Sequence, residues 1–281
     1  DDLETLLNSS EEYGKQHIFL YKVSRKTAQE FLDINKIKTI AQTNGHKEAF
    51  ESAISLHTPE KATITDIRQE LESADKPSLI IKIIETRWHL ELIGEDVVNN
   101  VVTKSWRRVS ERAVNVATLH DDGLLEIRVS SQSNSTQYDQ QLNKIWEIIN
   151  PYFEKNKFRE ISLKRAKDKL VSDRDSLSNK IRFSTTSLRD DSGFSIKAAA
   201  GSTEDSLTNS LGIKASISGF YKHGGYCDGT NIWFMKSTSS GTPSFDIHAL
   251  LSGMINEFAI PANCIRADYE YTLKEILSLN V

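Results

Sequence analysis

The spacing of apolar residues changes at Pro77, and this change constrains the fold more than any other feature of the sequence. A compact apolar run at 78–84 is followed by runs in which apolar residues occupy every second position, at 88–92, 114–117 and 125–129. That period is typical of half-buried β-strands. The sequence His120-Asp121-Asp122-Gly123 separates the last two runs, and Asp-Gly accepts the positive φ of a tight hairpin turn. Consecutive strands joined by tight turns predict an antiparallel sheet.

Before Pro77 the spacing is mainly typical of short helices. Ser24 is a suitable N-cap for a helix with apolar residues at 28–32, and a second apolar helix face occupies 49–54. Thr63-Ile64-Thr65-Asp66 resembles a capping box, which predicts a third helix with Ile64, Ile67 and Leu71 on one face. A single strand is expected at 17–23, ahead of these helices.

The rest of the chain mixes both periods. Tyr138, Leu142, Ile145, Trp146 and Ile149 recur at helical spacing and Pro151 follows them, so we expect a helix that ends before this proline. Further helices are expected at 161–171, at 203–211 before Gly212, and at 269–277; further strands are expected at 181–187, 194–198, 213–221, 231–236 and 244–251.

These elements predict an α+β fold, in which a small helical N-terminal unit is followed by antiparallel sheet layers with packed helices. Residues 1–76 form the mainly helical segment. Residues 77–155 carry antiparallel strands and the amphipathic helix, and residues 156–281 form a second α+β half, either separate from the segment before it or continuous with it.

Composition indicates a cytoplasmic protein that does not enter a membrane. No stretch approaches the roughly 20 consecutive apolar residues that span a bilayer, and the first residues are acidic rather than basic. Cys227 and Cys264 lie far apart, and two cysteines are too few for a disulfide framework, which favours a reducing compartment. We find no cofactor motif and no metal-ligand spacing, so we expect neither.

The net charge of −4 conceals an uneven distribution. Residues 104–112 hold four cations and one anion, and residues 151–185 hold ten cations and five anions, so the rest of the chain carries −12. Clustered lysines and arginines with an interleaved aromatic are typical of surfaces that bind a phosphate backbone and stack a base. The predicted nucleic-acid-binding residues are Lys104, Trp106, Arg107, Arg108, Lys157, Arg159, Lys164, Arg165, Lys167 and Lys169.

The cations at 164–169 are expected on one amphipathic helix. There Lys164 and Lys167 would share a solvent face, and Arg165 and Lys169 would form a second row one turn apart. The alternative interpretation is a solvated helix face without a ligand, because most charge runs on helices have that role.

Two other functions stay open. A metal-dependent nuclease would use Asp121, Asp122, Glu126 or Glu160 with Lys164, although turn chemistry explains the two aspartates without a metal. A pure protein-protein adaptor or scaffold would use exposed tryptophans as anchors. Of the four tryptophans, 88, 146 and 233 lie in core-like patterns, whereas Trp106 is flanked by charges and is expected to be exposed.

The segment 222–229 combines reactive residue types without a diagnostic spacing. Cys227 and His223 could form a nucleophile and its base, or two metal ligands, but three glycines in six residues favour a hairpin loop. The preferred hypothesis is therefore a non-enzymatic binding protein, a subunit of a larger assembly. Its partners would be nucleic acid, bound by a central basic surface, and other protein subunits.

Overall fold

The computed structural model of this chain describes residues 10–73, 76–131 and 138–281. These residues form helices and antiparallel strands, which confirms the predicted α+β class. Contacts between Cα atoms divide the chain into two compact units. We call Lys22–Phe158 the central unit, and Asp1–Tyr21 together with Arg159–Val281 the terminal unit. The segment limits at 76 and 155 stay predictions.

The central unit is built on an antiparallel sheet with strand order β2-β3-β4-β5. These strands are β2 (Thr63–Ser73), β3 (Lys76–Val98), β4 (Val101–His120) and β5 (Leu124–Ser130). Its helices are α1 (Arg25–Phe31), α2 (Ile34–Thr43), α3 (Lys47–Glu51) and α4 (Tyr138–Ile149). The Oγ atom of Ser24 accepts from the backbone N–H of Thr27, so the predicted N-cap of α1 is confirmed.

Helix α4 has the bounds that its apolar spacing predicts. It buries Leu142, Ile145, Trp146 and Ile149 along one stripe. Beyond its end, Phe158 lies 5.6 Å from Trp146, measured between ring centroids. Aromatic pairs at this separation add attraction to the area that they bury. The stripe therefore fixes the helix in the core of the central unit.

The predicted turn between β4 and β5 is also present. Gly123 has a φ of +91°, and the Asp122 side chain accepts a hydrogen bond of 2.8 Å from the backbone N–H of Leu124. The Gly123 carbonyl accepts a hydrogen bond of 2.9 Å from the backbone N–H of Val23. The turn thus joins β4 to β5 and also holds the segment that precedes α1.

The helix predicted from the capping-box sequence is wrong, because Thr63–Ser73 forms strand β2. A β-bulge between Ile64 and Asp66 explains the error. The bulge adds one residue to the strand, so Ile64 and Ile67 both face the core although they are three positions apart. A spacing of three is also the signature of a helix, and the sequence alone does not reveal the bulge.

The strands of the terminal unit are antiparallel in the order β1-β11-β10-β9-β7-β8, with β6 paired to β1. Its strands are β1 (Gly14–Lys22), β6 (Arg159–Glu160), β7 (Ile181–Arg189), β8 (Ser195–Ala199), β9 (Tyr226–Phe234), β10 (Ile247–Leu251) and β11 (Glu257–Asn263). Its helices are α5 (Lys164–Ser172), α6 (Arg174–Leu177), α7 (Leu211–Lys222) and α8 (Arg266–Leu279). The predicted β7–β8 hairpin and the closing helix are confirmed.

The strand predicted at 213–221 is wrong, because these residues belong to helix α7. Ser210 caps the helix by accepting from the backbone N–H of Ile213. Ile217 packs in a cluster with Val171, Leu188 and Cys227. The helix expected at 203–211 is reduced to one 3₁₀ turn, Leu207–Asn209. The cap at Ser210 places Gly212 inside the first turn of α7, so this glycine does not end a helix.

Candidate functional site

Strands β3 and β4 form a two-stranded arm that continues beyond the other strands of the central sheet. Their register is unbroken from Ser78 paired with His120 to Val98 paired with Val101, apart from one bulge at 92–94. β2 pairs with β3 only as far as Ile84. We call residues 86–112 the arm. At about 3.4 Å per residue the arm is about 40 Å long.

A turn with two left-handed residues ends the arm. Asn99 and Asn100 have φ values of 50° and 61°. Asparagine tolerates this region better than most residues, and two such residues in succession form the type I′ turn that matches the twist of a hairpin. Valines 97 and 98 precede the turn and valines 101 and 102 follow it. This hairpin signal is present in the sequence, and our sequence analysis missed it.

One side of the arm, the apolar face, carries large apolar side chains that are exposed. Paired residues share a face and alternate along each strand, so the register assigns six side chains to it. Each of them is 44% to 65% exposed: Trp88, Leu90, Leu92, Val97, Val102 and Trp106. They present on the order of 600 Å² of apolar surface, as much as the largest patches on typical monomers. The predicted exposure of Trp106 is confirmed, whereas the core position expected for Trp88 is wrong.

The cations of the arm are matched by anions on the opposite strand. Lys104 lies 3.3 Å from Glu95, and Arg107 lies 2.6 Å from Glu91. The hydrogen bond and charge of Arg107 lower the pKa of Glu91. With Asp96, three anions balance the three cations between residues 88 and 110, since Arg108 is the third cation. The net charge of +3 counted over 104–112 therefore does not describe the surface of the arm.

Arg108 has an aromatic partner. Its guanidinium carbon lies 4.2 Å from the ring centroid of Trp88. Such a cation–π contact is attractive and holds the guanidinium over the indole ring. The two side chains therefore form one continuous part of the apolar face, near the base of the arm.

A buried polar network fixes the base of the arm. The Glu85 carboxylate accepts hydrogen bonds from Arg87 at 2.7 Å, Asn115 at 3.0 Å and Gln141 at 2.5 Å. Arg87 also donates to the backbone carbonyl of Ser130 at 2.8 Å. These contacts join β3, β4, α4 and the end of β5. The arm thus begins from a rigid point in the central unit.

The second predicted basic stretch lies mostly in the terminal unit, on β6 and α5. The exposed cations there are Arg159, Lys164, Arg165 and Lys169. The ammonium of Lys164 lies 4.5 Å from the ring centroid of Tyr226. Lys157 is exposed as well, but it belongs to a 3₁₀ turn of the central unit. The ten predicted residues are thus divided between the two units.

Lys167 does not share a solvent face with Lys164, and that prediction is wrong. Its side chain is buried, and its Nζ atom donates a hydrogen bond of 2.9 Å to the backbone carbonyl of Asp228. Ala166, Leu170 and Val171 bury the same side of α5. Lys167 therefore anchors the helix to strand β9 instead of joining the exposed row.

The carboxylates of the nuclease hypothesis have structural partners. Asp121 lies 2.7 Å from Arg25, Asp122 lies 3.0 Å from Lys22, and Glu126 contacts His120. Glu160 is exposed on β6. Within residues 10–73, 76–131 and 138–281, no three His, Cys, Asp or Glu side chains are grouped so that they could hold a metal ion.

Cys227 lies at the start of β9, where α7 is connected to the sheet, so the hairpin loop predicted at 222–229 is wrong. Its side chain is buried, and burial raises the pKa of the thiol to about 12, with a further contribution from the charge of Asp168. The thiolate is the nucleophilic form of cysteine. A buried thiol with this pKa is therefore unsuited to nucleophilic catalysis.

Among the described residues, no helix is long and apolar enough to cross a membrane. No protein-family model matches the chain, and no curated protein matches it in sequence.

Proposed function

We propose that this chain is a non-enzymatic binding protein, a subunit of a larger assembly, that docks onto a protein partner through the apolar face of its arm. The exposed apolar face is the observation that carries this proposal. Exposing on the order of 600 Å² of apolar surface on one face is unfavourable unless a partner covers it. Tryptophan and arginine, the residue types most enriched at interface hot spots, both occur on this face.

The charges of the arm favour a protein partner over nucleic acid. A nucleic acid is held mainly by cations that neutralise its phosphates. The arm has no net charge between residues 88 and 110, and Lys104 and Arg107 already have carboxylate partners. Protein interfaces instead combine aromatic and aliphatic side chains with polar groups.

The test is face-selective photo-cross-linking in cells that express the full chain. A photoreactive side chain at Leu90 lies on the apolar face, and the matched control at Thr103 lies on the opposite face. We expect a cross-linked protein from position 90 and none from position 103. The absence of a cross-link at position 90, or equal cross-linking at both positions, would contradict the proposal.

A second candidate function, the binding of nucleic acid, is favoured by the exposed cations of the terminal unit. Arg165 and Lys169 are one turn apart on α5, and both are exposed. A row of this kind can follow a phosphate backbone. In this version of the hypothesis, the arm cations do not contribute.

Salt-dependent binding of labelled DNA and RNA to the whole chain tests this candidate. If α5 binds, affinity falls steeply with salt, and the Arg165→Gln/Lys169→Gln variant lowers the log–log slope by about 1.4 to 1.8. The control, Lys104→Gln/Arg107→Gln, removes two cations from the arm and is expected to leave the slope unchanged. No binding at low salt, or a larger effect of the arm variant, would remove α5 as the site.

A further inference from the structure

We propose that the protein partner binds the arm through an extended acidic segment, which adds to the outer edge of strand β4 as a third strand. This inference rests on the proposed function, since it names the chemistry of the partner that contacts the arm. The segment pairs with backbone groups at 101–112. Every second side chain of the segment lies on the apolar face, beside Trp106 and Arg108.

The outer edge of β4 is open along the arm. Strand β5 pairs with β4 at 116–119, and the backbone N–H of Val114 donates a hydrogen bond of 3.0 Å to the Oγ atom of Ser130. Among the described residues, only β3 pairs with β4 at 101–112. In an antiparallel pair, about half of the backbone N–H and C=O groups of each strand point away from the other strand. An extended peptide can pair with such groups, which is the binding mode called β-augmentation.

The outer edge of β3 is less regular than that of β4. The bulge at 92–94 inserts Ile93 into β3, whereas each residue of β4 from Val101 to His120 has one partner on β3. A bulge interrupts the series of backbone groups along an edge and hinders the addition of a further strand. The regular edge of the arm is therefore that of β4.

The charges of the arm are divided between its two strands, and the cations lie along β4. Residues 101–112 hold four cations and one anion, whereas residues 86–98 hold one cation and three anions. A segment added beside β4 has these cations as its nearest charged neighbours, because β3 lies one strand further away. Opposite charges on adjacent strands attract, so acidic side chains stabilise the added segment. Like charges destabilise such a pair, so the same cations disfavour pairing between the β4 edges of two copies.

Arg108 is the cation that an acidic side chain of the partner meets on the apolar face. Lys104 has a carboxylate partner on β3, but among the described residues no carboxylate forms an ion pair with Arg108. Arg108 contacts the ring of Trp88 and lies two positions from Trp106 on β4. Side chains two positions apart share a face of a strand. The segment therefore places an acidic side chain beside Arg108 and an apolar one beside Trp106.

Binding of synthetic peptides to the purified full chain tests the inference. In the acidic probe, threonine occupies one face of the strand, and valine and glutamate alternate on the other face. The basic probe has lysine in place of each glutamate. We expect fluorescence anisotropy to show binding of the acidic probe, and binding of the basic probe to be at least about 10-fold weaker.

Charge reversal at Arg108 tests its place in the interface. Arg108→Glu is expected to weaken binding of the acidic probe by about 10-fold and to strengthen binding of the basic probe. The matched control, Arg107→Glu, makes the same change in net charge on the opposite face of the arm. Because salt screens charges that do not face each other, we expect it to change either affinity by less than about threefold. Both arginines are exposed, so urea unfolding of both variants should match the parent.

N-methylation of the acidic probe separates backbone pairing from charge attraction alone. A strand that binds by one edge uses the N–H groups of alternate residues. Two methylated probes are needed, one with methyl groups on the threonine nitrogens and one with methyl groups on the valine and glutamate nitrogens. We expect one of them to lose binding and the other to retain it. In the complex with the unmethylated probe, hydrogen exchange should slow more at 101–112 than at 86–98.

Three results would overturn the inference: no binding of the acidic probe, equal binding of the acidic and basic probes, or retained binding of both methylated probes. After any of these results, a cross-link from position 90 in cells would leave the proposed function standing. The absence of that cross-link would contradict the proposed function whatever the probes do.

Discussion

Replacing Gly123 with alanine is expected to lower the free energy of unfolding of the central unit by about 3 kcal/mol. The φ of Gly123 is +91°, a region that costs an L-residue about 1–2 kcal/mol. A Cβ atom built on this glycine would lie 2.3 Å from the backbone carbonyl oxygen of Val23. Because that oxygen belongs to the main chain, relief requires the two segments to move apart. The movement weakens the hydrogen bond from Val23 to Gly123, which contributes about 1 kcal/mol.

Gly45→Ala is the matched control. Gly45 also has a positive φ, +76°, but nothing lies within 4 Å of the Cβ that the substitution adds. Its expected cost is the backbone contribution alone, about 1 kcal/mol. Urea unfolding followed by tryptophan fluorescence measures both variants. Equal losses at the two positions would show that the close approach of Val23 does not constrain the turn.

The Asp-Gly turn and helix α4 were predictable because each depends on neighbours in sequence. A tight turn needs a residue that accepts positive φ, and the stripe of α4 repeats at a spacing that only a helix places on one face. The α+β class followed from the same local patterns. Contacts with residues distant in the chain do not change the preference of these segments for a turn and a helix.

Strand β2 and helix α7 were not predictable in this way. The bulge in β2 imitates helical spacing, and only its pairing with β3 reveals it. Residues 213–221 combine isoleucines with small and aromatic residues that suit either a strand or a helix. The capping hydrogen bond of Ser210 and the packing of Ile217 with Leu188 stabilise the helix.

The candidate site shows more clearly that local sequence patterns do not reveal contacts between residues that are distant in the chain. A count along the chain finds a basic segment at 104–112, but the acidic residues that balance it lie on the opposite strand. Glu91 and Glu95 are 16 and nine positions away from their partners Arg107 and Lys104, and only the hairpin register brings them together. Likewise, Trp88 alternates as a core residue would, and it is exposed because its strand continues beyond the sheet. Where a strand leaves its sheet is a property of the whole fold.

The base of the arm is expected to be more sensitive to substitution than its exposed surface. We expect Glu85→Ala to lower the free energy of unfolding of the central unit by about 3–5 kcal/mol, the range for breaking a buried charge pair. The substitution leaves the amides of Asn115 and Gln141 without the carboxylate that accepts from both. It also leaves the partly buried charge of Arg87 without its carboxylate partner.

Two controls separate the charge of Glu85 from the general cost of substitution. Glu85→Gln keeps an oxygen that can accept hydrogen bonds but loses the charge. Because charge-assisted hydrogen bonds are roughly twice as strong as neutral ones, we expect it to lower the free energy of unfolding by about half as much as Glu85→Ala does. Glu91→Ala removes an exposed ion pair with Arg107, and no measurable change is expected.

Hydrogen exchange of the arm amides distinguishes loss of the anchor from general unfolding. The network joins β3 and β4 to α4 and to Ser130 at the end of β5, so its loss should speed exchange first at residues 85–90 and 108–115. Amides near Asn99 should change least, because the network does not reach the tip. Uniform acceleration across the central unit would mean that Glu85 supports the whole core and does not act as the anchor of the arm. Unchanged exchange and unchanged stability would mean that the arm is held by strand pairing alone.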